Sequence, residues 1–156
     1  MAGVNSILDE FHPAVRKWFA TRFGAPSRVQ ELGWPVIGEA QKDVGHHVLL
    51  CAPTGSGKTL AAFMWAINRL VVEAEHNVLR EQISVLYVSP LKALANDIRI
   101  NLEEPLTGVR AVAAHEGLDL VNIRAGLRTG DTPAGERAAM LRRPPQILVT
   151  TPESLF

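Results

Sequence analysis

Residues 48–59 read VLLCAPTGSGKT, and the fold is best approached from this stretch. Its first five residues form an apolar run with the length and composition of a buried strand. A turn that contains Gly55 and Gly57 follows, and Lys58 and Thr59 then open a long apolar helix. Two glycines permit a backbone on which several N–H groups converge on one anion, and the helix N-terminus adds its positive end. The stretch therefore predicts a phosphate-binding loop between a strand and a helix.

Each part of this loop has a predicted role in binding a nucleoside triphosphate. The pattern is that of a P-loop, except that Ala52 stands where the pattern has its first glycine. The Lys58 ammonium is expected to reach the β- and γ-phosphates, and the Thr59 hydroxyl to bind Mg²⁺. The flanking strand and helix disfavour the alternative, an ordinary Gly-rich turn. The predicted phosphate contacts are Thr54, Gly55, Ser56, Gly57, Lys58 and Thr59, with Lys58 and Thr59 also taking part in catalysis.

The composition is that of an ordinary folded domain. The 156 residues are 47% hydrophobic and 21% charged, which excludes a disordered tail or a low-complexity repeat. Sixteen basic residues balance sixteen acidic ones, so any nucleic-acid binding must come from a local site. One cysteine and five histidines without ligand spacing exclude a disulfide framework and a zinc site. We see no signal peptide and no apolar stretch of about 20 residues, so a cytoplasmic location is expected.

Periodicity on both sides of the loop predicts alternating helices and strands. Before the loop, helices are predicted over 9–22 and 27–40, with Ser27 as the cap of the second. The helix that follows the loop is predicted over 58–72, and Pro105 is expected beyond the end of the next helix. This alternation indicates an α/β fold, a parallel sheet with helices on both faces. The remaining elements are predicted as strands over 83–88, 123–127 and 146–150 and helices over 89–102, 111–118 and 133–142.

Four predicted strands are each followed by a signal that opens a helix. In a parallel sheet the carboxyl ends of the strands meet at one edge, where ligands bind. Each helix N-terminus at that edge offers free N–H donors and a positive dipole end. A row of them would suit a polyanion such as a nucleic-acid backbone, although most helix starts of this kind contact nothing. The signals are the P-loop, Ser89-Pro90, Asp131-Thr132-Pro133 and Thr151-Pro152.

Five segments together resemble the superfamily 2 helicases, and among these the Lhr (large helicase-related) family. They are the segment around Gln30, then APTGSGKT, PLKAL, RTGDT and TTPESL, and the resemblance covers nearly the whole chain from residue 11 to 156. It implies a RecA-like P-loop domain that binds ATP. It also implies that ATP hydrolysis drives movement along single-stranded DNA and unwinding of duplexes. On this reading 1–41 are a small helical N-terminal extension that carries the glutamine segment, and 42–156 are part of the RecA-like ATP-binding domain.

The same resemblance implies which residues contact the nucleic-acid strand, expected to be DNA. PLKAL and TTPESL match segments that hold the loaded strand by its phosphates, and RTGDT matches a neighbouring loop that also contacts the strand. The implied contacts are Pro90, Lys92, Arg128, Thr129, Gly130, Asp131, Thr151, Pro152, Glu153 and Ser154.

Gln30 has two interpretations. As the fourth residue of Ser27-x-x-Gln30, it completes a capping box by bonding back to the Ser27 N–H. By resemblance, Pro26-Ser27-x-x-Gln30 matches the helicase pattern Pro-Thr-x-x-Gln, whose glutamine recognises adenine. An amide can pair with the N6 and N7 positions of adenine at once. We favour adenine recognition, which a cap does not exclude.

No acidic pair of the Asp-Glu-x-His kind follows a strand-like run in these 156 residues. We therefore expect a truncated domain, a fragment of a longer protein that is inactive alone. The acids that orient the attacking water, the arginine finger and the remainder of the helicase core would lie elsewhere. The alternatives are a superfamily 2 helicase that acts on RNA and a nucleotide- and DNA-binding module without turnover. A metabolic P-loop kinase is disfavoured, because PLKAL and TTPESL have no use there.

Overall fold

The computed structural model describes residues 6–42, 46–90, 92–120 and 122–155. The chain forms two compact units, Met1–Val72 and Glu73–Phe156. The helices are α1 (Pro13–Phe23), α2 (Arg28–Lys42), α3 (Lys58–Glu75), α4 (Lys92–His115) and α5 (Ala134–Arg142), with short 3₁₀ helices at Ile7–Glu10 and Pro152–Ser154. The strands are β1 (Val85–Val88), β2 (Ala125–Arg128) and β3 (Ile147–Thr150).

Aromatic side chains form the centre of the first unit. Trp34 of α2 is fully buried, and the rings of Phe11 and Phe19 meet it edge-on at centroid distances of 4.7 and 5.4 Å. The Trp34 indole N–H donates a 2.9 Å hydrogen bond to the Ala61 carbonyl of α3. The ring of Trp65 of α3 also meets Phe11 edge-on, at a centroid distance of 5.1 Å. These contacts fix α2 against the helix that begins at the P-loop.

The first predicted helix is divided in two. A 3₁₀ turn over Ile7–Glu10 comes first, and α1 begins only at Pro13. The His12 side chain accepts the Ala14 N–H, so it caps α1, and Pro13 fits the first helical position because its missing N–H would be unpaired there. In α2, by contrast, Pro35 lies inside the helix without ending it.

The second unit contains a three-stranded parallel sheet with the order β1-β3-β2. The parallel arrangement confirms the prediction. All four residues of the central strand β3 are buried. Helix α4 leads from β1 to β2 and packs against β2 and β3. Because α5 returns in the opposite direction, from β2 to β3, the right-handed crossover rule places it on the other face of the sheet.

The strand predicted over 48–52 is wrong. Residues 46–53 have no regular secondary structure, and Leu49 is 86% exposed. Cys51, which we expected to be buried, is exposed as well. A strand needs the N–H and C=O groups of a neighbour, and within the described part of the chain no strand pairs with this segment. The apolar run therefore indicated a strand's composition but not its partner.

The predicted break after residue 102 is also wrong. Helix α4 continues through Pro105 to His115, so the region predicted as a separate helix over 111–118 is its last part. An interior proline costs a helix about 3 kcal/mol. The buried side chains of Leu102, Val109 and Ala113 lie on both sides of Pro105, and their burial offsets that cost.

The later elements are close to their predicted positions. The strands are one or two residues shorter than predicted, and the helix predicted over 133–142 is α5, Ala134–Arg142. The helix start predicted at Thr151 is a 3₁₀ turn over Pro152–Ser154. Of the helices in the described ranges, none is both long and apolar enough to cross a membrane.

Candidate nucleotide and nucleic-acid sites

The loop between residue 53 and α3 has the backbone that phosphate binding requires. Gly55 and Gly57 have φ values of +80° and +91°, in the left-handed region that favours glycine. A Cβ added at Gly55 would meet nothing within 4 Å, so this glycine is required for its backbone conformation alone. A Cβ at Gly57 would lie 2.8 Å from Gln30 Nε2, so here space is limiting too. Helix α3 then starts at Lys58 and directs its N-terminus at the loop.

The Lys58 ammonium lies over the start of its own loop. It donates hydrogen bonds to the carbonyl oxygens of Ala52 and Pro53, the second at 2.7 Å. Both acceptors are neutral. Charge-assisted hydrogen bonds to an anion are about twice as strong as neutral ones, so a phosphate is the better partner for this cation.

The Ser56 hydroxyl is a second indication of an anion site. Its oxygen is buried and has no hydrogen-bond partner among the described residues. A buried hydroxyl without a partner costs about 1–3 kcal/mol, which a phosphate oxygen would remove. Thr54 and Thr59 are both exposed, Thr59 in the first turn of α3. The predicted phosphate ligands are thus together, and their chemistry fits a nucleoside triphosphate.

Gln30 is buried against this loop and forms the back-bond of a capping box. Its Oε1 accepts the Ser27 N–H at 2.8 Å, and its Nε2 lies 3.5 Å from the Gly57 carbonyl. The Ser27 hydroxyl does not complete the box. It donates instead to the Ser56 carbonyl at 2.8 Å. The cap interpretation of Gln30 is therefore realised in the structure, and the same contacts connect the start of α2 to the P-loop.

The three segments that were expected to contact nucleic acid lie at one edge of the sheet in the second unit. They follow the carboxyl ends of β1, β2 and β3, which are parallel. The Ser89 N–H donates to the Thr150 carbonyl at 2.8 Å, and the Thr150 hydroxyl donates to the Arg128 carbonyl at 2.8 Å. These two bonds connect all three strand ends. Residue 92 opens α4 at this edge, while its side chain lies outside the described part of the structure.

Buried threonines hold the loops at this edge, while six of the other predicted contacts are exposed. The Thr129 N–H donates to Thr132 Oγ1 at 2.8 Å, and the hydroxyls of Thr151 and Ser154 are 3.3 Å apart. Thr129 and Thr151 are buried, so they hold their loops in shape. The exposed residues are Pro90, Arg128, Gly130, Asp131, Pro152 and Glu153.

The charges at this edge are mixed. Arg128 supplies a guanidinium, while Asp131 and Glu153 bring carboxylates. Phosphate binding at this edge would therefore rest on Arg128, on residue 92 and on backbone N–H groups.

Two connections in the structure were not predicted from the sequence. Ser27 was assigned to capping α2, whereas its hydroxyl reaches the P-loop. Thr150 was assigned to a strand, whereas its hydroxyl joins two of the strand-contact segments. Both residues lie inside segments already singled out in the sequence, Ser27 in Pro26-Ser27-x-x-Gln30 and Thr150 at the start of TTPESL, but nothing in those segments indicates the bonding partner. Among the described residues no three His, Cys, Asp or Glu side chains form a metal-binding cluster.

A P-loop followed by a parallel sheet and alternating helices defines a RecA-like P-loop fold. Comparison with known proteins then gives the family. A model of the DEAD/DEAH box helicase family matches residues 27–156. The chain belongs to that family.

Individual relatives are Lhr helicases. The chain is 51% identical over 149 residues to the Lhr helicase/probable uracil glycosylase of Mycolicibacterium smegmatis, and 52% identical over 141 residues to the ATP-dependent helicase Lhr-Core protein 2 of Thermococcus barophilus. These matches cover 96% and 90% of this chain but 9% and 16% of the relatives.

A solved structure gives the same result in three dimensions. The structure of the Mycobacterium smegmatis helicase Lhr bound to ssDNA and AMP-PNP matches with a TM-score of 0.85 and 49% identity. The match covers 96% of this chain and 18% of that chain. It confirms the predicted RecA-like fold, and it confirms the resemblance to Lhr helicases.

Proposed function

We propose that this chain is the ATP-binding part of an ATP-dependent DNA helicase, with ATP and Mg²⁺ at the P-loop and single-stranded DNA at the carboxyl edge of the sheet. The observation that carries the proposal is the loop itself. Two glycines at positive φ precede a helix N-terminus, and the Lys58 ammonium contacts neutral carbonyls at the start of the loop, which a phosphate would replace.

At the P-loop, the backbone N–H groups of 55–59 would hold the phosphates, and Lys58 would neutralise their charge. The Thr59 hydroxyl would hold Mg²⁺, which neutralises charge that develops on the phosphate oxygens. No acidic pair of the Asp-Glu-x-His kind, which would orient the attacking water, follows a strand-like run of this sequence. We therefore propose that the chain binds ATP without hydrolysing it at a helicase's rate.

The proposed division is an N-terminal extension over 1–41 and part of the ATP-binding domain over 42–156. Within the extension, Gln30 is proposed to recognise adenine. Support comes from its burial against Gly57 and from the weak contact of Nε2. At 3.5 Å the hydrogen bond from Nε2 is at the limit of the usual distance range, so little is lost if the amide donates to a base instead. A cytoplasmic location belongs to the same proposal.

At the sheet edge, the proposed strand contacts are Lys92 and Arg128 together with N–H groups of the loops at 128–131 and 151–154. Support comes from the common edge that the three segments share, and from a relative that was solved with ssDNA. Such contacts are made to the phosphates and not to the bases, so binding should tolerate changes of base sequence.

The test is fluorescence anisotropy of the chain with a labelled single strand, measured across salt concentrations with and without AMP-PNP. We expect micromolar or weaker binding that falls linearly on a log–log salt plot, with a shallow slope set by the few phosphates contacted. An RNA strand of the same sequence tests the alternative, a helicase that acts on RNA. Tighter binding of RNA than of DNA would favour that alternative. Absence of binding at low salt would overturn the nucleic-acid part of the proposal.

A further inference from the structure

Thr150 is the last residue of the central strand β3, and it is 1% exposed. Its two neighbours in the sheet register are Val88 at the end of β1 and Arg128 at the end of β2. All three strands therefore end at the same level. Each of them continues directly into one of the segments proposed to contact the nucleic-acid strand.

Two of the three polar groups of Thr150, its carbonyl and its hydroxyl, connect these ends. Its carbonyl oxygen accepts the Ser89 N–H at 2.8 Å, on the β1 side. Its hydroxyl donates to the Arg128 carbonyl at 2.8 Å, on the β2 side. The first bond needs only a backbone and any residue could supply it. The second needs a hydroxyl at this position, so it depends on the side chain.

We infer that Thr150 is a positioning residue for nucleic-acid binding: its hydroxyl holds the Arg128 segment in register with the other two, so that one strand meets all three. This inference rests on the proposed function of the sheet edge. Thr150 itself is buried and does not touch the nucleic acid. It acts through the Arg128 carbonyl, which sets where the exposed guanidinium and the loop at 129–131 begin.

The hydroxyl lies where the backbone ladder between β2 and β3 gives way to loops. The register pairs Arg128 with Thr150 as its last position. A hydroxyl donating there extends the connection beyond what backbone pairing alone provides. Bonds such as Thr129 N–H to Thr132 Oγ1 shape the loop at 129–131 but do not connect it to β3.

The test compares Thr150→Val, which keeps the shape but removes the hydroxyl, with Thr150→Ser, which keeps the hydroxyl. Anisotropy with a labelled single strand gives both affinity and salt slope. We expect Thr150→Val to bind about threefold to tenfold more weakly, the worth of one hydrogen bond, and to lose about one phosphate contact from the slope. Thr150→Ser should keep the wild-type slope, and ATP affinity should be unchanged in both.

The slope separates positioning from a merely structural role. A variant that is only less stable has fewer folded molecules, but each folded molecule keeps its phosphate contacts and hence its slope. Thr107→Val, an exposed threonine of α4, is the matched control for exchanging a hydroxyl for a methyl group. If Thr150→Val does not fold, Thr150→Cys replaces it, because a thiol is only a weak donor.

Two outcomes would overturn the inference in different ways. A wild-type slope in Thr150→Val, or a reduced slope in Thr150→Ser, would contradict it and leave the proposed function intact. Wild-type chain that does not bind the single strand at low salt would remove the proposed function of this edge, and the inference with it.

Discussion

The Ser27 hydroxyl donates a 2.8 Å hydrogen bond to the Ser56 carbonyl, which connects the residue before α2 to the middle of the P-loop. The two residues are 29 positions apart in the chain. The bond uses the side chain that would otherwise cap α2. The conformation of the P-loop therefore depends on the segment that carries Gln30.

We predict that Ser27→Ala lowers both stability and ATP affinity. Loss of the hydroxyl removes the bond to the Ser56 carbonyl, at a cost of about 1 kcal/mol, and frees the loop. Urea unfolding followed by tryptophan fluorescence measures stability, since all three tryptophans lie in the first unit. Ser6→Ala, which removes a cap at the 3₁₀ helix Ile7–Glu10, is the control. It should affect stability alone, and an equal loss of ATP affinity in both variants would refute the connection.

Gln30→Glu separates the two interpretations of Gln30. A carboxylate can still accept the Ser27 N–H, so the cap should persist, while the weak contact from Nε2 to the Gly57 carbonyl is lost. It cannot donate to adenine N7, so the preference for ATP over GTP should narrow. The preference is measured by competition against a fluorescent nucleotide. If it stays at the wild-type value, Gln30 is a capping residue and does not read the base.

The two glycines of the P-loop should respond differently to alanine. Both lie at positive φ, which costs a non-glycine residue about 1–3 kcal/mol. In Gly57→Ala the new methyl group also meets the Gln30 amide at 2.8 Å, whereas in Gly55→Ala it meets nothing within 4 Å. Gly57→Ala should therefore be the less stable variant in urea unfolding. Equal stabilities would mean that the Gln30 amide moves aside without cost.

Glu81 is predicted to stabilise the second unit in a pH-dependent way. The hydrogen bond from Arg143 Nε, at 2.8 Å, lowers the pKa of its carboxyl, and the charges of Arg143 and Arg124 act in the same direction. Because the folded-state pKa is lowered, the contribution is present above the ordinary value of 4.5 and is lost as pH falls through the lowered pKa.

The measurement for Glu81 is an NMR titration of its carboxyl together with thermal melts of Glu81→Gln. The carboxyl should titrate below 4.5, and the melting difference from wild type should shrink in acid. Glu81 and Arg143 are both exposed, so added salt should also reduce the melting difference between wild type and Glu81→Gln. Glu10→Gln, an exposed glutamate of the first unit, is the matched variant. A Glu81 midpoint at or above 4.5 would contradict the assignment.

Local signals in the sequence were sufficient for much of this fold. The P-loop, the helix that follows it and the parallel pairing of three strands were predictable, because each depends on short-range pattern and turn chemistry. The prediction of a strand over 48–52 was wrong, because a strand forms only beside a hydrogen-bonding partner, which composition does not reveal. The length of α4 through Pro105 was missed for a related reason, since burial on both sides of a proline overrides its local preference.

The candidate sites divide in the same way. Motifs located the P-loop and the segments at the sheet edge, since their chemistry lies in consecutive residues. The bonds from Ser27 to Ser56 and from Thr150 to Arg128 span 29 and 22 positions. Hydroxyls donate to many partners, so only the fold selects these two.

The central claim is that the P-loop binds ATP through Lys58, and isothermal titration with ATP and Mg²⁺ tests it most directly. Lys58→Ala removes the charge-assisted contact, worth roughly 1.5–3 kcal/mol, so wild type should bind at least about tenfold more tightly than the variant. Lys17→Ala, at an exposed position of α1, is the control and should bind as wild type does. Equal ATP affinity in wild type and Lys58→Ala would contradict the account.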